Sequence, residues 1–195
     1  SSLFNGQGVI NLRNMADVEI RGNTITEIER GSGLRLSQSE NVRVLDNHLM
    51  RVGRTAIAVL GVTKTVIRGN RIARISGVHG NGITLYLNNR GALVEANSVT
   101  ESTRPMTFHG DKSTSGPGDH DFTITRNVFI ADSEGTAAIT SWGSNTRGVT
   151  ITSNILIAPK AGIRLTPSDT GITIADNVDT GLLVTGARPA DWKVS

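Results

Sequence analysis

The residue types able to do chemistry in this chain gather in one place. The stretch 109–121, HGDKSTSGPGDHD, holds His109, Asp111, Lys112, Asp119, His120 and Asp121. It is the longest irregular stretch, and long loops on rigid scaffolds often carry function. A cation such as Lys112 or Arg164 suits neutralising a carboxylate, while His109 or Tyr86 suits giving or taking a proton. Paired carboxylates for hydrolysis come only from Asp111 with Asp119 or Asp121. No cofactor is evident, although Asp111 and Asp119 leave open a divalent cation such as Ca2+ inside the loop. GDKS lacks the Gly-x4-Gly-Lys-Ser/Thr spacing of a phosphate loop. The bland reading of the same stretch is a solvated excursion.

What must position these residues is a repeat. Aligned on Asn, the words DVEIRGNTI, NVRVLDNHL, KTVIRGNRI, GALVEANSV, DFTITRNVF, GVTITSNIL and GITIADNV place Asn23, Asn47, Asn70, Asn97, Asn127, Asn154 and Asn177 at gaps of 24, 23, 27, 30, 27 and 23. Apolar residues alternate before each Asn, as in Val18 and Ile20 or Val149 and Ile151, and return two places after it, as in Ile25 and Phe129. Period-2 alternation means a strand with one buried face. A third apolar element, GVINL, GLRL, AIAVL, GITLYL, PMTFH, AAITSW, GIRL or LLVT, lies between the words. Three short strands per period predict a parallel β-helix of about seven to eight coils, roughly 35 Å long at ~4.8 Å per coil. A sandwich or propeller would explain the strands but not one Asn per period. The Asn column is expected to stack as a ladder, because the amide both donates and accepts, and Asn tolerates left-handed backbone angles. The more variable residue before it is expected to be a turn position. The longest gap falls where the 109–121 loop interrupts the repeat.

Composition agrees. Of 195 residues, 37% are hydrophobic but only 4% aromatic, which suits a core of stacked Ile, Val and Leu. The absence of Cys excludes disulfides and Cys-ligated metals. A net charge of +3 with scattered basic residues argues against a nucleic-acid arm and allows a weak preference for acidic ligands. No apolar run approaches the ~20 residues of a membrane-spanning helix. The whole of 1–195 reads as one β-helix domain, and its start within the repeat, without Met, suggests a piece of a longer chain. Open coil ends expose strand edges, so a homo-oligomer partner or further chain segments are expected to cap them. Trp192 is expected to cover such an end.

The unit G-I-x-L … V-x-I-x-x-N-x-I, with its Asn column, resembles the pectate-lyase-like right-handed parallel β-helices, also described as carbohydrate-binding and sugar-hydrolysis repeats. The resemblance covers about residues 8–185. It implies a polysaccharide or oligosaccharide partner, an acidic one among the candidates, and an extracellular, cell-surface or virion-associated location. It also implies that substrate lies across the sheet built from the GIxL strands. The outward columns of that sheet are then Asn11, Arg35, Ala58, Thr84, Thr107, Thr140, Arg164 and, beside it, Arg13, Ser37, Leu60, Tyr86, His109, Ser141 or Trp142, Thr166. Tyr86, His109, Asp111 and Lys112 become candidate catalytic residues, and His79, Trp142, Arg164, Thr84 and Thr107 candidate substrate contacts. Trp142 would serve as a platform for a sugar ring. The Asp-Pro-His signature of alginate epimerases and the strand motifs of polygalacturonases are absent. Two readings follow: a lyase, epimerase or hydrolase acting on an acidic glycan, or a non-catalytic β-helix of a spike, fibre or adhesin.

Overall fold

The computed structural model describes residues 7–77, 79–110, 118–143 and 145–195. Every strand pairs in parallel with the strand one coil away, giving three sheets of eight, eight and seven strands. Sheet A runs from Gly8–Arg13 to Leu182–Val184, sheet B from Ala16–Arg21 to Lys193–Val194, and sheet C from Thr24–Ile28 to Val178–Asp179. No helix forms among the described residues. The chain is thus an all-β parallel solenoid of about seven turns.

The register follows the aligned words. Ile20, Val44 and Ile67 pair in succession, as do Val94, Ile124, Ile151 and Ile174, and all seven are buried. The apolar residues two places beyond each Asn, Ile25 through Leu156, are buried on sheet C. Burying one such side chain is worth about 1.5–3 kcal/mol, so stacking aliphatic residues suffices with few aromatics. Where aromatics enter, they fit by edge: Phe108 and Phe122 meet at 6.1 Å and 79°.

The Asn ladder is continuous. Each Asn from Asn23 to Asn154 donates both its backbone N–H and its Nδ2 to the Oδ1 of the next, at 2.9–3.0 Å. One expectation needs correcting. The left-handed residue is the one before the Asn: Gly22, Asp46, Gly69, Ala96, Arg126, Ser153 and Asp176 all have φ between 53° and 68°. The Asn itself stays outside that region because its amide must point inward at the coil.

A second corner column is also present. Backbone bonds from Glu40 to Met15, Thr63 to Ser39, Arg90 to Val62, His120 to Asn89, Arg147 to Asp119 and Thr170 to Thr146 align Met15, Ser39, Val62, Asn89, Asp119, Thr146 and Asp169. Side chains cap the turn here too: Asn89 Oδ1 accepts from Val62 N at 2.9 Å, and Asp119 Oδ1 from Asn89 N at 2.7 Å.

The third corner, between sheets C and A, demands small residues. A Cβ at Gly82 would lie 2.5 Å from the Pro105 carbonyl oxygen and against a Val99 methyl. Gly82→Ala is therefore expected to cost about 1–3 kcal/mol by overpacking, read as a lowered thermal midpoint. At the far end, Trp192 is buried, its Nε1 donates to the Asp169 carbonyl at 2.6 Å, and Lys193–Val194 pairs with sheet B. Trp192 thus covers the C-terminal coil.

Candidate functional site

The outward face of sheet A carries the columns expected from alternation. Arg35, Ala58, Thr84, Thr107, Thr140 and Arg164 pair coil to coil as its floor. Ser37, Leu60, Tyr86 and His109 pair as one wall. The Trp142 N–H donates to the Phe108 carbonyl at 3.0 Å, and Ser141 pairs with Phe108 and is buried, so Trp142 is the residue that continues this wall. The opposite wall is made at the strand starts by Arg54, His79, Asn81 and Arg104.

Parallel register sets the chemistry of these walls. Side chains one coil apart sit ~4.8 Å from each other, so the Tyr86 and His109 rings stack, with centroids 3.9 Å apart and 23° between planes. The Trp142 indole receives two guanidinium groups, Arg104 at 5.1 Å and Arg164 at 5.9 Å from its centroid. Thr84 and Thr107 share a hydroxyl hydrogen bond of 2.8 Å on the floor. Two cavities of about 460 and 360 Å³ lie along the face and share His79, Asn81 and His109.

No Asp or Glu among the described residues lines either cavity. Among the described residues, Arg35, Arg54, Arg104 and Arg164 form no ion pair, whereas some arginines of the other sheets do: Arg68 and Arg126 flank Glu95 on sheet B, and Arg51 and Arg74 meet Glu27 and Glu101 on sheet C. The face is therefore cationic, with no compensating carboxylate among the described residues. Its field is felt by His79: burial first, then the charges of Arg54 and Arg104, hold the imidazole below its ordinary value. Burial and the nearby Arg54 likewise lower Arg35, which stays charged at neutral pH.

Seven of the expected residues, Tyr86, His109, His79, Trp142, Arg164, Thr84 and Thr107, thus come together on one face. Asp111 and Lys112 lie outside the described residues. Asp119 and Asp121 do not supply the carboxylates expected of the loop. Asp119 is fully buried as a rung of the second corner column. Burial pushes its carboxyl up to about 7, against the N–H groups of Asn89 that favour the charged form. Asp121 is exposed at the start of sheet B's His120–Thr125 strand, where its Oδ2 lies 2.8 Å from His120 Nδ1. No cluster of three or more His, Cys, Asp or Glu is arranged to hold a metal among the described residues.

Arg54, Asn81 and Arg104 were not legible as site residues. They precede the alternating part of their strands, and Arg104 stands before Pro105, where the pattern reads as a turn. The usable signal was position: each stands at or just before the start of a sheet A strand whose far end carries a wall residue.

Residues 5–179 match the family described as a right handed beta helix region. No curated protein shows significant similarity to the chain. Among solved structures, PfbA, a surface adhesin of Streptococcus pneumoniae, superposes with a TM-score of 0.66 at 17% identity, over 92% of this chain and 46% of that one. The likeness is one of fold, and the chain spans about half the length of that adhesin.

Proposed function

Since the chain belongs to the right-handed β-helix family, whose coils set equivalent side chains in register along an axis, we propose that sheet A is a binding face for an anionic polysaccharide. The observation that carries this is the row of arginines, without carboxylate partners among the described residues, beside the aromatic wall Tyr86–His109–Trp142. Aromatic faces accept the apolar face of a sugar ring, and guanidinium groups accept carboxylates or sulfates bidentately. From Arg35 to Arg164 is five coil steps, about 24 Å, so a polymer rather than a single sugar matches the spacing. A non-catalytic, surface-displayed role is the reading favoured by a face whose described residues include no carboxylate, and the surface adhesin of similar fold is consistent with it.

A catalytic reading draws on one observation, the contact of Tyr86 with His109 beside cations, which suits proton abstraction next to a neutralised carboxylate. A panel of acidic and neutral polysaccharides decides between the two. Binding without reducing ends or ultraviolet-absorbing unsaturated products supports the adhesin-type role, and turnover lost in Tyr86→Phe supports the catalytic one. Trp142→Ala is expected to weaken binding about tenfold, from the ~1–1.5 kcal/mol of a lost stacking platform, measured by titration calorimetry. Affinity is also expected to fall as salt rises, since exposed charges are screened.

A further inference from the structure

Thr107 and Thr140 point outward from sheet A, yet each is only 1% exposed. Arg104 stands on one side of the floor column and Trp142 on the other, so the contact between them crosses above the floor. Arg164, next in the floor column after Thr140, reaches the same indole from the following coil. The three side chains form a bridge over this end of the groove. Beneath it, the Thr107 hydroxyl is paired with Thr84, but Thr140 Oγ1 is buried with no hydrogen-bond partner. A buried hydroxyl left unpaired costs stability, and here it sits on the face that carries the arginines and the indole.

We propose that Thr140 is the floor hydrogen-bonding residue of a closed subsite that opens when a pyranose ring bearing an anionic substituent displaces the Arg104–Trp142–Arg164 bridge. In the open form the ring stacks on the indole, its carboxylate or sulfate takes a guanidinium group, and one ring hydroxyl pairs with Thr140 Oγ1. The guanidinium–indole contacts are exchanged for charge-assisted hydrogen bonds of the same arginines. This assignment rests on the binding reading above and adds to it a specific partner hidden in the unliganded protein.

The test uses Thr140→Val, which keeps the shape and removes only the hydroxyl. Because that hydroxyl is unpaired, the variant is expected to melt at the same temperature as the parent or higher. Size-defined oligogalacturonates and heparin-derived oligosaccharides serve as probes, with neutral cello-oligosaccharides as control. The expected result is three- to tenfold weaker binding of the acidic probes, the worth of one hydrogen bond. Binding should also shift the tryptophan emission of the parent, and Trp142→Phe should abolish that shift. If Trp142→Ala loses binding while Thr140→Val binds as the parent does, the face stands as a binding site and the role of Thr140 is refuted. A melting point lowered by Thr140→Val would show the hydroxyl to be paired within the fold, which equally overturns the assignment. Failure of the parent to bind any acidic probe removes the binding reading and this one together.

Discussion

Replacing Asp119 by Asn is expected to raise the thermal midpoint by about 5–10 °C at pH 8, and by progressively less toward pH 4. Asp119 is a rung of a corner column whose preceding member is Asn89, and it is fully buried. Its Oδ1 accepts from both Asn89 N and Nδ2, at 2.7 and 3.2 Å, a role an Asn carbonyl oxygen fills without charge. Burial raises the carboxyl from 3.8 to about 7 in the folded protein. An acid whose folded value is raised binds its proton more tightly when folded. The resulting stability is whole below pH 3.8, declines as pH rises, and is gone once pH passes about 7. The interval corresponds to at most about 4 kcal/mol, or roughly 10 °C for a chain of this size. Calorimetry of both proteins from pH 4 to 8 measures it. A gap that does not widen with pH would refute the account.

Asn97→Ala, in the middle of the ladder, is expected to lose about 4–6 kcal/mol. Asn97 Nδ2 donates to the carbonyls of Ile67 and Glu95 and to Asn127 Oδ1, while its Oδ1 accepts from Asn70 N and Nδ2. Truncation leaves several buried groups unpaired, each costing ~1–3 kcal/mol. The same change at Asn23, which is only partly buried in the first coil, should cost about 1–2 kcal/mol. Chemical denaturation of the two variants side by side tests the gradient, and equal losses would show that the ladder is not cooperative.

The two columns explain what could and could not be read in the sequence. The ladder was legible because one residue type recurs at one position, and only an amide supplies donor and acceptor to successive coils. The sheet A columns were legible because alternation fixes which side chains point outward, and one ambiguity, Ser141 against Trp142, is resolved by the pairing of Ser141 with Phe108. The second corner was not legible. Met15, Ser39, Val62, Asn89, Asp119, Thr146 and Asp169 share no residue type, since a turn that closes on backbone bonds accepts whatever side chain fits. Asp119 therefore looked like part of a reactive loop, when its depth makes it part of the scaffold. Arg104 was missed for the opposite reason. It lies at a strand start, where alternation has not begun, but its long side chain reaches across the floor to Trp142.

The Asn-to-Asn hydrogen bonds all run one way, from each Asn to the one that follows it, so the backbone N–H groups released by an injury lie on one side of it. Removing the Asn97 side chain deprives the coil before it of an acceptor for two donors, the Asn70 backbone N–H and side-chain amide. The coil after it keeps its own acceptor, because the Asn127 N–H bonds Asn154 Oδ1. Amide hydrogen exchange in Asn97→Ala should accordingly quicken at Asn70 and leave Asn127 near its parent rate. A solenoid that looks alike in both directions along its axis would then loosen first on one side of a lesion.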